Sequence, residues 1–140
     1  MTDRPSPSSA VPRDVGDRGR PRTIAFVMDH PAQHFSPGLR AAAARGEIHP
    51  LACYWDDFAG GYRDAGFDRT VTWDVDLLAG YDSVATDPDA TTARRARTIV
   101  RALREARPAA IVVAGWASRV ARVAIVWATI TRTPLYFYSD

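Results

Sequence analysis

From residue 23 onward the chain alternates short apolar runs with stretches of helical period, and nothing else in it limits the fold so strongly. Residues 23–28 are apolar on both parities, the pattern of a strand covered on both faces. Ser36-Pro37 reads as an N-cap followed by proline at the first helical position, where a missing N–H costs nothing. That helix runs through Leu39 and four alanines to about Arg45, with Gly46 as its C′ residue. A second strand is expected over 48–55. Residues 56–88 are broken by Asp56, Asp57, Gly60, Gly61, Gly66 and Gly80, and only 70–73 looks like a strand. Over 91–107, Ala93, Ala96, Ile99, Val100, Leu103 and Ala106 share one helical face, and the arginines opposite read as a solvated one. A strand at 109–114 closes on Gly115, and 118–132 reads as a helix apolar around most of its circumference and therefore deeply packed. A last strand follows at 134–138. The order β-α-β-(loop, β)-α-β-α-β predicts an α/β fold with a Rossmann-like, doubly wound parallel sheet. With no helix after its last strand, one sheet face is expected to lie open, as in the front part of something larger.

Length and composition narrow the class. The 140 residues suffice for one domain with a real core, and 46% apolar with 24% charged residues is a soluble globular balance. A formal charge of +2 implies no nucleic-acid partner. All basic residues are arginine, which reads as a codon-composition signature rather than a set of phosphate forks. The lone Cys53 excludes an internal disulfide or a cysteine metal cluster and reads as a small buried hydrophobe. Residues 1–21 are too poor in apolar side chains to offset ordering entropy, so a disordered tail is expected, followed by one domain over 22–140. No secretory h-region is present, and the longest apolar run, 123–130, falls far short of the ~20 residues that span a bilayer. A cytoplasmic protein is the expectation.

The chemistry concentrates at His30-Pro31-Ala32-Gln33-His34-Phe35-Ser36-Pro37, where the first strand turns into the first helix. Ligands of open α/β sheets bind at such carboxyl ends of strands. His30 is placed to hydrogen-bond a hydroxyl, contact phosphate or act as a base near neutral pH, or is a plain loop histidine. Gln33 can donate and accept, and the helix start at Ser36 offers an anion site. No glycine lies between Thr23 and Pro37, so the GxGxxG dinucleotide fingerprint is absent. Asp29, His30, His34 and the Asp56-Asp57 pair make a metal site only on paper, since no HxxxH helix or cysteine pair exists; no metal is expected. No GxSxG elbow occurs. Gly115 and Trp116 form a second strand-to-helix junction, Trp116 either stacking on a sugar ring or packing the core. Asp140 falls on the same edge, or is a terminal residue without a partner. The Tyr54-Trp55-Asp56-Asp57-Phe58 loop joins aromatics to paired carboxylates, a composition that suits carbohydrate and also occurs in ordinary loops.

At these residues the chain resembles the N-terminal, acceptor-side domain of GT-B glycosyltransferases of the family 4-like group. The features carrying the resemblance are His30-Pro31-x-Gln33-x-Phe35-Ser36-Pro37, the Tyr54–Phe58 loop, Gly66-Phe67, and Trp73-Asp74-Val75-x-Leu77-Leu78-x-Gly80-Tyr81. The passage from Arg107-Pro108 to Gly115 and the strand from Pro134 to Asp140 complete it, over roughly 22–140. The histidine-proline segment and Trp73 to Tyr81 are the more specific parts. The resemblance implies one half of a two-domain, retaining, metal-independent glycosyltransferase. Its acceptor is a glycan or lipid-linked sugar, and its nucleotide-sugar donor is a co-substrate bound mainly by a C-terminal domain with an EX7E-type motif. His30, Gln33, Ser36, Gly115, Trp116 and Asp140 would line the acceptor cleft, with His30 as catalytic contact. Peripheral membrane contact also fits. Unlike many relatives, the chain has no glycine-rich loop after the first strand, and Trp116 follows Gly115 where a histidine is common nearby. The donor domain has no room in 140 residues, so the chain alone reads as a fragment, a split half or a decayed copy, not expected to transfer sugar. The alternative is a non-catalytic Rossmann-like binding or interaction domain.

Overall fold

A computed structural model describes residues 20–58, 61–64, 69–71 and 76–138. The elements run β1 (Arg22–Met28), α1 (Ser36–Arg45), β2 (Ile48–Tyr54), β3 (Tyr62–Asp64), β4 (Arg69–Val71) and β5 (Asp82–Ala85). Then come α2 (Thr92–Ala106), β6 (Ala110–Ala114), α3 (Arg119–Thr131) and β7 (Leu135–Tyr138). Five strands form one all-parallel sheet in the order β5-β2-β1-β6-β7, while β3 and β4 pair antiparallel as a separate hairpin. The fold is thus the expected α/β type with a Rossmann-like sheet.

The two sheet faces are covered unequally. Odd-numbered residues of β1, β2 and β6 (Ala25, Val27, Leu51, Cys53, Ile111, Val113) face α2 and α3 and bury Ile99, Leu103, Val120, Ala121 and Ala124. The periodicity of α2 is sufficient to place it, and Thr91 caps it by accepting from the Arg94 amide. Among the described residues, the opposite face carries α1 and the turn before β5, which bury Met28, Leu39, Ala52 and Tyr54. Arg40 of α1 holds that turn by donating to the carbonyls of Ala79 at 2.9 Å and Asp76 at 2.8 Å. Gly80 must be glycine there: its φ is +88° and a Cβ would meet Arg40 Cγ at 2.7 Å. Beyond α1, Tyr136 and Tyr138 of β7 are 60% and 42% exposed.

Three local expectations are corrected. Ser36 is not the N-cap of α1: the chain starts to coil earlier, the amides of Phe35 and Ser36 both reaching the Ala32 carbonyl, and Phe35 occupies the cap without a side-chain bond. Helix α3 is not packed all round. Sheet and α2 cover one side only, so Val126 and Ile130 remain 59% and 77% exposed. Strand β5 escaped the sequence because it is an edge strand whose Asp82 and Ser83 face water, leaving no apolar run to read. The strand expected over 70–73 is realised as β4, ending at Val71; Thr72 and Trp73 lie outside the described residues, as do 1–19 of the expected tail.

Cys53 is fully buried in β2, and burial pushes its thiol from 9.0 up to about 12. Above the unfolded value the unfolded chain loses the thiol proton while the native state keeps it, so stability falls as pH rises. The expected slope is about 1.4 kcal/mol per pH unit. Between pH 9 and 10, where the unfolded thiol goes from half to mostly ionised, urea denaturation should show wild type losing about 1 kcal/mol more than Cys53→Ala. Burial raises the Tyr54 hydroxyl as well, but that slope begins higher and is common to both proteins.

Candidate functional site

The strand order reverses between β1 and β6: from β1 the chain moves outward through β2 to β5, then returns across the sheet and moves the other way to β7. Loops leaving β1 and β6 diverge to opposite sides at such a switch point, and the crevice between them is where open α/β sheets take ligands. A hollow of about 370 Å³ occupies that place, walled by Asp29, His30, His34 and Phe35 after β1, by Gly115 after β6, and by Tyr138. Its size lies in the range of small-molecule pockets.

Each wall has a local cause. The β1–β2 ladder continues one step past the strands, with Asp56 N–H donating to the Asp29 carbonyl at 2.8 Å, so the residue before His30 is pinned. Asp56 then accepts from the Phe58 amide at 2.9 Å, a side-chain turn that holds Phe58 at φ 50°. Phe58 in turn stands against the His30 imidazole, with centroids 5.0 Å apart and planes tilted by 45°. His30 is exposed on its other sides and so is open to the hollow. Gly115 adopts φ +73°, and its amide donates to the Tyr138 carbonyl at 2.8 Å, joining the ends of β6 and β7. A Cβ at Gly115 would meet nothing within 4 Å, so the glycine serves the backbone turn rather than close packing. Across the hollow Phe35 and Tyr138 meet edge to face, centroids 4.9 Å apart.

The sequence-expected residues divide. His30 and Gly115 come together at the hollow with His34 and Asp29. Gln33 is exposed and does not line it. Ser36 is only 1% exposed and is hydrogen-bonded to the Tyr81 hydroxyl at 3.2 Å, facing the interior and not a ligand. Trp116 is 74% exposed, neither packing the core nor lining the hollow. Asp140 lies outside the described residues. In the aromatic loop, Tyr54 and Trp55 are core residues and offer no stacking platform. Of the Trp73 to Tyr81 stretch, 73–75 lie outside the described residues, Leu77 is buried, and Leu78 and Tyr81 pack beneath α1. Phe58 of the aromatic loop is the aromatic that reaches the site, against His30; Tyr138 was not singled out in the sequence, and the register Ala114↔Tyr138 would place it beside Gly115 once the strand order is known.

One arginine of α2 departs from the solvated face expected for the run. Arg95 turns inward, its guanidinium 4.5 Å from the Trp55 ring centroid, donating to the Thr86 hydroxyl at 2.6 Å and to the Trp55 carbonyl. It ties the ends of β2 and β5 to α2, and thereby fixes the strand end from which Asp56 and Phe58 reach His30.

Chemically the hollow offers two imidazoles, a carboxylate and aromatic walls, groups that suit a hydroxylated ligand. Among the described residues no group of three or more His, Cys, Asp or Glu side chains is arranged to hold a metal ion. Among them, too, no helix is long and apolar enough to cross a membrane. Compared with known proteins, the chain matches no protein-family model and no curated protein sequence.

Proposed function

We propose that this domain is the acceptor side of a retaining GT-B glycosyltransferase, acting in the cytoplasm. It holds a hydroxylated acceptor, a glycan or lipid-linked sugar, for transfer from a nucleotide-sugar that a separate donor domain binds. The observation that carries the reading is the switch-point hollow between β1 and β6, with His30, His34 and Asp29 around it. His30 makes the main polar contact to the acceptor hydroxyl. Exposed Tyr136, Phe137 and Tyr138 on β7 favour a second reading, a non-catalytic binding or interaction domain of the same fold.

The test is a titration of the chain with methyl glucoside, followed through its amide resonances. The expected result is saccharide-dependent shifts at 29–35 and 115, weakened about tenfold in affinity by His30→Ala, about the cost of one good polar contact. No sugar transfer or donor hydrolysis is expected from the chain alone. Shifts confined to β7, or hydrolysis of a nucleotide-sugar by the isolated chain, would sink the acceptor reading.

A further inference from the structure

Helix α3 leaves an aliphatic stripe uncovered on the outward side of the helix layer. Half-buried Val123 and Trp127 floor a hollow of about 380 Å³, and exposed Val126, Ile130 and Val100 stand around it. Val100 belongs to α2, so this is the flank of α3 turned toward α2. At about 100° per residue, Ile125 and Thr129 fall on the opposite flank, where the right-handed crossover of a strand added beyond β7 would pack. The hollow is therefore a groove between two helices, facing away from the sheet, and no element of a wider sheet would fill it.

The groove is as one-sided in charge as in apolarity. Arg97 and Arg104 stand one turn either side of Val100 on α2, and Arg119 and Arg122 one turn before Val123 and Val126 on α3. All four are exposed, and none is in an ion pair. Arg122 donates to the Ala117 carbonyl at 3.1 Å. The sole acid of the two helices, Glu105, lies on the far flank of α2, paired with Arg101 at 3.4 Å. The whole chain carries a formal charge of only +2, so this concentration of cations is local.

We propose that the groove docks an amphipathic helix of a partner protein, its apolar stripe laid between Val100 and Ile130 and its flanking carboxylates meeting the four arginines. A second copy of this chain would set arginine against arginine across a two-fold axis. A nucleic acid would satisfy the arginines but waste the aliphatic floor beneath its phosphates. A bilayer would reach only the crests of the groove, leaving Val123 and Trp127 untouched. An acidic-flanked helix uses both features at once. Its anchors at i, i+3 and i+4 fill a groove between helices, and guanidinium groups on the rims take carboxylates through paired hydrogen bonds. This face lies apart from the switch-point hollow, so the docking is independent of the acceptor reading.

The probe is a synthetic helical peptide with one leucine stripe flanked by glutamate, titrated into the 140-residue chain and followed by amide shifts. Shifts are expected along 97–104 and 119–130. A lysine-flanked peptide with the same stripe should bind about tenfold more weakly, and scrambling the glutamate peptide to destroy its stripe should cost as much. Ile130→Glu changes a residue that is already exposed, so it should weaken the glutamate peptide about tenfold without lowering the melting temperature. The double variant Arg97→Glu, Arg104→Glu should invert the preference and bind the lysine peptide better, a result no folding defect produces. Failure of the glutamate peptide to bind, equal binding of all three peptides, or shifts outside α2 and α3 would each overturn the docking. Phosphatidylglycerol vesicles that bind the chain through Ile130 while the glutamate peptide does not would also overturn it, and would make the face a membrane contact.

Discussion

Replacing Arg95 with leucine is expected to destabilise the domain by about 3 kcal/mol, the sum of a desolvated cation–π contact and charge-assisted hydrogen bonds. Its side chain is only 12% exposed and reaches four groups: the Trp55 ring, the Trp55 carbonyl, the Thr86 hydroxyl and, at 3.8 Å, the Asp56 carboxylate. Thr86 also donates to the Trp55 carbonyl, so the three residues form one network at the ends of β2 and β5. Leucine would keep much of the packing on Trp55 but leave these acceptors with fewer donors. Arg95→Lys should recover less than half of the loss, because an ammonium cannot lie flat on the indole while donating in two directions. The exposed neighbour Arg97 provides the control: Arg97→Leu should change stability by no more than about 0.5 kcal/mol in the same urea titrations. Equal effects at 95 and 97 would remove Arg95 from the structural account. Loosening of the Trp55–Asp56 strand end should also reach His30, since Asp56 anchors both Asp29 and Phe58.

The second large effect is expected beneath α1. The Tyr81 hydroxyl lies 2.9 Å from the Tyr54 hydroxyl and 3.2 Å from Ser36 Oγ, and it donates to the Leu77 carbonyl. Tyr54 is fully buried and Ser36 nearly so, with no water side to turn to. Tyr81→Phe therefore orphans two interior hydroxyls and a carbonyl with a single atom removed, at a cost of about 2–3 kcal/mol. Tyr54→Phe takes away a partner from a residue that keeps two others and should cost less. The double variant is the sharper measurement. If the hydroxyls act as one network, Tyr54→Phe should add little once Tyr81 is phenylalanine, giving a coupling of about 1 kcal/mol. Strict additivity of the two would mean independent contacts.

The second of these networks gives Tyr81 and Ser36 structural tasks. Tyr81 closes the Trp73 to Tyr81 stretch, and in the structure its role is to hold a turn against α1, not to meet a ligand. Ser36 belongs to the same network. Its chemistry was legible in the chain, but the direction of its side chain depended on where the helix began to coil. Phe35 already has helical φ and ψ, which shifts the cap by one residue and turns the Ser36 hydroxyl inward. A one-residue shift on a helix rotates a side chain by about 100°, enough to move it from cleft to core.

By itself the sequence determined the elements whose periodicity is strong. The apolar run at 23–28, the one-faced α2 and the glycine at the end of β6 are local properties of residues within one turn or one strand, so local physics is enough to read them. Tertiary structure decided what depends on pairing between distant segments. Edge strand β5 exists because its backbone finds β2, not because its side chains demand burial. Arg95 leaves its solvated neighbours because Trp55, 40 residues earlier, presents a ring and a carbonyl where the helix starts. His30 meets Gly115 and Tyr138 because the strand order places β1 beside β6, and β6 beside β7. No spacing along the chain encodes that order. It follows from how the strands pair and what the helices bury against them, which only the assembled sheet decides.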